Sequence, residues 1–170
     1  MIKNVWRTMV VVTVVTLSVF TANSQDENSS KRPDAVAIVD AYMAAWNAHN
    51  VVKVESFLAD DIVYVDGTAE APQKGRVAMR QNVIDVFLKA APDLTWTRDT
   101  KTPIANADGI SFEWIFKGTN SGDWDAKTPA TNKVFQFKGV SFIRIKDAKI
   151  IYQGDYFDAL TFQKQLGWIK

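Results

Sequence analysis

Apolar positions recur every three or four residues in two stretches of the first half of the chain, as in helices with one apolar face. The first stretch follows Asp34, a residue type that suits a helix N-cap, and ends at the turn 47–50. The second runs from about Arg76 to Ala91, and Pro92 ends it. The two apolar stripes are Val36, Val39, Tyr42, Met43 and Trp46 in the first helix and Met79, Val83, Phe87 and Ala90 in the other.

A shorter helix and a strand are predicted between these two. Residues 51–58 form the helix, and the adjacent acids Asp60 and Asp61 are expected to be a solvated pair at its end. The β-branched and aromatic residues 62–65 then predict a strand, which ends at Asp66. A loop with proline and glycine leads from there to the next helix.

Most of the second half predicts strands. Residues 94–103 alternate loosely, whereas residues 110–120 alternate clearly between apolar and polar side chains. Residues 134–145 and 149–157 form a further pair around a short turn. A short helix is expected over 159–166. Helices followed by a run of strands indicate an α+β fold, a curved antiparallel sheet with about three helices packed on its concave face.

The N-terminal residues are expected to be an export signal. Lys3 and Arg7 precede a short apolar run, and Ala22-Asn23-Ser24 resembles a cleavage site. A retained membrane anchor is the alternative, although spanning a bilayer takes about 20 apolar residues. We therefore expect a signal peptide at 1–24, a polar tether at 25–33 and one domain at 34–170. The mature protein is expected to be periplasmic or secreted and free of the membrane.

Charge and residue types exclude several classes of function. The chain has 20 basic and 19 acidic residues, so loss of Lys3 and Arg7 leaves 18 against 19 and a nearly neutral surface. Nucleic-acid binding is not expected, because no basic run appears. The absence of cysteine and the single histidine exclude thiolate and histidine-rich metal sites. No phosphate-binding loop or GxSxG motif occurs, and we expect neither cofactor nor metal.

Several short motifs resemble those of the nuclear transport factor two-like superfamily, which contains ketosteroid isomerase and the SnoaL-like polyketide cyclases. Tyr42-x-x-x-Trp46-Asn47, the following FLADD and Asp66 match the first helix and strand of the isomerase. The APDL segment 91–94 and the GT-x-x-G loop 118–122 resemble the SnoaL-like branch. The final KII and DYFD segments are similar to the last strand of that branch. The resemblance spans about residues 34–168 and implies a cone-shaped α+β fold.

The resemblance also implies site residues. Asp66 matches the general base of the isomerase, and Tyr42 matches its oxyanion donor. Its second oxyanion donor falls at Ser141, so the steroid-type site is incomplete. In the SnoaL-like cyclases a late-strand aspartate is the acid and base, and Asp155 occupies the matching position. By strand alternation, Asp155 shares a mostly apolar face with residues 151, 153 and 157.

Each of these three residues also has a structural interpretation. Asp66 and Gly67 suit a turn that ends a strand. Tyr42 lies on an apolar helical stripe, where aromatic residues are usually part of the core. Asp155 also suits a hydrogen-bonded structural acid at a sheet edge. Asp158 is expected to cap the last helix.

Two functions are therefore open, and both use an apolar pocket. One is a cofactor-free cyclase or isomerase that uses Asp155, Asp66 and Tyr42 on a small carbonyl compound. The other is a binding module for a small apolar or aromatic ligand. A homodimer through the outer sheet face is also expected, with Glu113, Lys117 and Gln136 in the contact. The candidate ligand-binding residues are Trp46, Tyr64, Trp96, Trp114, Phe116, Phe137 and Ser141.

Overall fold

The computed structural model describes residues 34–99 and 101–170. The expected signal peptide and tether, residues 1–24 and 25–33, lie outside the described residues. Within those ranges, no helix combines the length and the apolar character that crossing a bilayer requires.

The helices follow the predicted stripes closely. Asp34 caps the first helix by accepting a 2.9 Å hydrogen bond from the Val36 backbone N–H, and Asp158 caps the last one through Thr161. Both caps were predicted from residue type. The helical segments are α1 (Ala35–Asn47), α2 (Val51–Ser56), α3 (Arg76–Met79), α4 (Asp85–Ala90) and α5 (Ala159–Leu166).

A π-helical turn, Arg80–Ile84, joins α3 and α4. The three segments together replace the single regular helix expected over residues 76–91. In a π-helical turn each backbone N–H bonds to the carbonyl five residues back, which displaces the following side chains around the helix axis. The sequence of this turn does not indicate a departure from α-helix, because none of its residues is a proline or glycine.

The strands form one open sheet in the order β2-β1-β7-β6-β5-β3, with β4 paired to β5. The helices α1, α3 and α5 contact this sheet, and the alternating buried positions of β5 and β6 face them. The predicted α+β fold with helices on one face of the sheet is confirmed. The strands are β1 (Leu58–Asp66), β2 (Gln73–Lys74), β3 (Thr95–Arg98), β4 (Ile104–Asn106), β5 (Gly109–Thr119), β6 (Val134–Lys146) and β7 (Lys149–Phe157).

One pair of neighbouring strands departs from the expected antiparallel pattern. β1 and β7 are parallel, and Asp66 is the register partner of Asp155. After β1 and β2 the chain passes through α3 and α4 to β3 and returns across the sheet through β5 and β6, so its last strand, β7, lies beside β1 in the same direction. This parallel pair brings the two acids predicted from distant parts of the sequence onto neighbouring strands.

The boundary between α2 and β1 lies earlier than predicted. The helix ends at Ser56 and the strand begins at Leu58, so Asp60 and Asp61 lie in a strand rather than at a helix end. Both acids are nevertheless exposed, as expected. The early start is stabilised by β7, because the Ile150 backbone N–H donates a 2.8 Å hydrogen bond to the Phe57 carbonyl. Pairing with a strand whose contacting residue lies 93 positions away therefore overrides the local helical pattern.

Candidate active site

A small, mostly apolar cavity lies between the segment 76–90, α1 and the sheet. Its volume is about 40 Å³, which is room for a few water molecules rather than for a typical ligand. Aromatic rings from seven helices and strands form most of its wall, and one carboxylate is part of it. The lining residues are Trp46, Tyr64, Met79, Val83, Phe87, Trp96, Trp114, Phe116, Phe137, Gln153, Asp155 and Phe157.

Most of the predicted site residues meet at this cavity. Asp155 and six of the seven ligand-binding candidates line it; Ser141 lies just behind the wall. The remaining lining residues were not predicted as site residues. Met79, Val83 and Phe87 had appeared only as a helical stripe, and such a stripe is typical of core packing. Alternation along the last strand had placed Gln153 and Phe157 on the face of Asp155.

Asp155 is the carboxylate in the cavity wall. It is 9% exposed. Its Oδ1 accepts a 2.6 Å hydrogen bond from Ser141 Oγ, and its Oδ2 accepts a 2.8 Å bond from Gln153 Nε2. Burial raises the pKa of Asp155 from 3.8 to about 6, although these two donors and Tyr64 act in the opposite direction. A carboxyl group with such a pKa can both accept and return a proton near neutral pH.

Ser141 is held in place by its position on β6 and by a hydrogen bond from the Trp114 indole ring. It is the register partner of Asp155 across the β6–β7 pair, and its hydroxyl accepts a 2.8 Å hydrogen bond from Trp114 Nε1. The Trp114 ring lies over Gly139, where an added Cβ would come within 2.3 Å of the ring carbons. Glycine at position 139 thus lets the indole reach Ser141. Ser141, at the position that the resemblance matches to an oxyanion donor, therefore donates its hydrogen bond to Asp155 and does not line the cavity.

Tyr42 lies behind the cavity wall, in contact with the lining residue Gln153. It is fully buried, it does not belong to the lining residues, and its hydroxyl donates a 3.0 Å hydrogen bond to Gln153 Oε1. Because that bond occupies the amide oxygen, Gln153 presents its Nε2 to Asp155. Tyr42 therefore orients a partner of the acid, whereas the resemblance implies direct contact with an oxyanion.

Tyr64 is the phenol that lines the cavity. It lies on β1, is 6% exposed, and its hydroxyl interacts with the Asp155 carboxyl group. Burial raises the pKa of Tyr64, and the negative charges of Asp155 and Asp66 raise it further. The phenol consequently keeps its proton at neutral pH and can donate a hydrogen bond.

Asp66 lies at the end of β1, outside the lining residues. Its Oδ1 accepts hydrogen bonds from the backbone N–H and the hydroxyl of Thr68, at 2.8 and 2.7 Å. This is the turn arrangement that the sequence offered as the alternative to a catalytic role. Its charge also contributes to the raised pKa of Asp155, after the larger effect of burial.

A metal site has no obvious ligand set in the described residues. Across 34–99 and 101–170, no three His, Cys, Asp or Glu side chains lie together as they would around a metal ion. The polar groups of the lining residues are instead a carboxyl group, a phenol, an amide and three indole N–H groups, which suit proton transfer and hydrogen bonding.

The chain belongs to the SnoaL-like polyketide cyclase family. The model of that family matches residues 36–166, nearly all of the described part. The family expected from the short motifs is thus confirmed. A search of curated proteins gave no match.

Solved structures support the same fold. TsrD from Streptomyces laurentii is 21% identical, with a TM-score of 0.66 over 79% of this chain and 95% of its own. A protein from Catenulispora acidiphila with a ketosteroid isomerase-like fold, in complex with trimethylamine, is 21% identical, with a TM-score of 0.63 over 76% and 92%. A proposed polyketide cyclase from Pseudomonas putida is 17% identical, with a TM-score of 0.67 over 78% and 98%. Likeness at these identities establishes the fold alone.

Proposed function

We propose that this domain catalyses proton transfer on a small, largely apolar carbonyl compound, as a cofactor-free cyclase or isomerase with Asp155 as general acid and base. The observation that carries the proposal is the buried Asp155 carboxyl group, whose pKa is raised to about 6, in the wall of an aromatic cavity. A general base is most effective when its pKa lies near the working pH.

The proposed reaction begins at a carbon next to the carbonyl group. Asp155 takes a proton from that carbon, the C–H electron pair forms the enolate, and negative charge develops on the carbonyl oxygen. Tyr64, which is protonated and lines the same cavity, supplies a phenol that can stabilise that charge. The enolate carbon then forms a C–C bond with a second carbonyl carbon, or it is protonated again at another position. In either case Asp155 returns the proton.

The cavity must widen to admit such a compound. About 40 Å³ is well below the several hundred Å³ of ordinary ligand pockets. Met79, Val83 and Phe87 form one wall, and the π-helical turn lies within the same segment. Such turns are frequent at functional sites. We propose that this wall moves outward when the ligand enters.

Exchange of the α-hydrogens of 1-indanone in D₂O, followed by NMR, tests the proposal without knowledge of the natural substrate. The wild-type domain should accelerate exchange, and Asp155→Asn should reduce the rate by a factor of roughly 10² to 10⁴. Asp158→Asn is the matched control, because Asp158 only caps α5. Equal exchange rates for the wild type and Asp155→Asn would refute Asp155 as the base.

A binding module remains the second candidate, and the hydrogen bonding of Asp155 favours it. Ser141 and Gln153 already occupy both carboxylate oxygens, which is an arrangement that also suits a purely structural acid. This function predicts that 1-indanone binds to the wild type without any acceleration of exchange. Binding and exchange measured on one sample therefore separate the two functions.

The outer sheet face is proposed to form a homodimer. Phe142 and Tyr156 are 49% and 43% exposed and lie against each other on β6 and β7. The earlier contact candidates Glu113, Lys117 and Gln136 are also exposed. Phe142→Glu should convert a dimer into a monomer in sedimentation experiments. A wild-type monomer at micromolar concentration would contradict the proposal.

Export remains a proposal as well. Its basis is the pattern of residues 1–24 in the sequence. N-terminal sequencing of the mature protein from the periplasm or medium should begin at Gln25. A protein that keeps its first residues and stays in the cytoplasm would contradict it.

A further inference from the structure

Trp46 lines the cavity and carries a buried indole N–H. Trp46 is 6% exposed and lines the cavity, and its Nε1 has no hydrogen-bond acceptor among residues 34–99 and 101–170. Native proteins seldom leave a buried N–H without an acceptor, and the exceptions often have a role in function. A ligand in the cavity would be in contact with this residue.

Two aromatic neighbours hold the Trp46 ring in place. Tyr42 and Trp96 both pack edge to face against it, with ring centroids 6.4 Å away in each case. The indole therefore has little freedom to turn toward another acceptor. Its fixed orientation is what a preorganised donor requires.

The Tyr42 oxygen is the competing acceptor inside the protein. Burial raises the pKa of Tyr42, and the nearby Trp46 N–H lowers it by a smaller amount. The two groups are thus close and the N–H acts on the Tyr42 oxygen, but their geometry falls short of a hydrogen bond. The Tyr42 hydroxyl already donates its own proton to Gln153. An experiment must distinguish a donor to a ligand from a donor that turns toward Tyr42.

Two other N–H donors of the lining residues, on Trp114 and Gln153, already have acceptors. Trp114 Nε1 donates to Ser141, and Gln153 Nε2 donates to Asp155. Among the lining residues, Trp46 has a fully buried indole N–H without an acceptor in the described part of the chain. This difference between Trp46 and Trp114 separates a donor to the protein from one that can serve a ligand.

We propose that Trp46 Nε1 donates a hydrogen bond to a carbonyl oxygen of a flat, largely apolar ligand. The inference rests on the proposed function in assigning the ligand to this cavity, and it makes Trp46 the residue that selects a carbonyl compound over a hydrocarbon of the same shape. In the proposed reaction the same bond would strengthen as negative charge develops on that oxygen.

The test compares 1-indanone with indane, which has the same ring system without the oxygen. In protein labelled with ¹⁵N in its tryptophans, loss of a signal in Trp46→Phe identifies the Trp46 indole N–H resonance. We expect 1-indanone to move that resonance downfield and indane to leave it nearly in place. Trp46→Phe should weaken 1-indanone binding about three- to tenfold and change indane binding less than twofold.

Trp124 provides the matched control. Its Nε1 is also buried without an acceptor in the described part of the chain, but Trp124 lies outside the lining residues. Its indole resonance should not respond to 1-indanone, and Trp124→Phe should bind both probes as the wild type does.

Three results would overturn the inference. In the first, Trp46→Phe weakens binding of both probes equally, which makes the ring a packing surface only. In the second, 1-indanone binds without moving the Trp46 resonance, as expected if water or Tyr42 satisfies the N–H. The third is failure of 1-indanone to bind either the wild type or Val83→Ala, whose cavity is larger. A Trp46 shift without catalysed exchange would instead refute the proposed function and leave this inference standing.

Discussion

Tyr42 and Asp155 are connected through one amide side chain. The Tyr42 hydroxyl donates to Gln153 Oε1 over 3.0 Å, and Gln153 Nε2 donates to Asp155 Oδ2 over 2.8 Å. All three residues are buried. The helix residue that the family resemblance places beside the substrate thus controls the acid indirectly, through the orientation of Gln153.

Tyr42→Phe should therefore shift the pH dependence of the reaction. Without the hydroxyl, Gln153 is free to turn, and Asp155 loses a donor that lowers its pKa. The midpoint of the pH–rate profile should move above about 6. A residue that touches the oxyanion would instead lower kcat and leave the midpoint in place. The rate of α-hydrogen exchange by 1-indanone, measured from pH 4 to 9, separates the two results.

Tyr152→Phe is the control for this experiment. It removes a phenol from the same strand, β7, but Tyr152 lines a separate surface groove with Phe142 and Tyr156. Its profile should match that of the wild type. Tyr42→Phe should also lower the free energy of unfolding by about 1–3 kcal/mol, because it leaves the buried Gln153 oxygen without a donor.

Local sequence signals predicted the main elements because those signals are strong. The stripe and N-cap of α1 and the alternation of β5 each depend on side chains a few residues apart. The short strands β2 and β4 have no such pattern, since they are mostly exposed and only two or three residues long. The start of β1 at Leu58 depends on pairing with β7, which no local pattern contains.

The sequence predicted which residues make up most of the candidate site, but not the hydrogen bonds that connect them. Asp155 and the aromatic wall followed from resemblance and alternation. The role of Tyr42 did not, because its hydrogen-bond partner lies 111 residues away in the sequence. The same limit applies to Met79, Val83 and Phe87. A helical stripe looks the same in sequence whether it packs against a filled core or borders a cavity.

Asp155→Asn should stabilise the protein at neutral pH. The pKa of Asp155 is raised in the folded state to about 6, against 3.8 as its ordinary value, so the folded state holds its proton more tightly than the unfolded one. Well below pH 3.8 both states are protonated, and burial of Asp155 then costs no stability through its ionisation. The free energy of unfolding of the wild type falls as the pH rises from about 4 to 6. Above that range the ionised Asp155 lowers it by about 3 kcal/mol.

Urea unfolding of the wild type and Asp155→Asn at pH 4, 5, 6 and 7.5 measures this dependence. The difference in unfolding free energy between the two should change by about 2.4 kcal/mol from pH 4 to pH 7.5 in favour of the asparagine variant. Asp66→Asn is the control, since Asp66 is only half-buried and lies in a turn. A difference that does not vary with pH would contradict the raised pKa of Asp155.

Gly139→Ala should disturb Asp155 through Trp114. The added Cβ would lie 2.3 Å from the Trp114 ring and 2.7 Å from the Tyr156 carbonyl oxygen. The ring must move, which breaks its hydrogen bond to Ser141. Overpacking of this kind costs about 1–3 kcal/mol. We expect a lower midpoint of urea unfolding together with slower exchange of 1-indanone.

The double variant Gly139→Ala, Trp114→Phe checks that the ring is the cause. The smaller phenyl ring removes the atoms closest to the new methyl group, so part of the stability lost in Gly139→Ala should return. The contact with the Tyr156 carbonyl remains and limits the recovery. If the double variant is as unstable as the sum of the two single variants, the clash lies in the backbone alone.

Val83→Ala should weaken folding and strengthen ligand binding. Val83 is 6% exposed and lines the cavity within the π-helical turn. Removing its two methyl groups costs about 1–3 kcal/mol of stability, by analogy with other large-to-small changes in cores. The cavity grows in the same step, and the energy needed to widen it for 1-indanone falls.

Val77→Ala, on the same helical segment but at a position 65% exposed, should change neither the stability nor the affinity for 1-indanone. Isothermal titration with 1-indanone and urea unfolding measure both. If Val83→Ala loses stability and binds 1-indanone no more tightly than Val77→Ala does, the ligand does not enter past this wall.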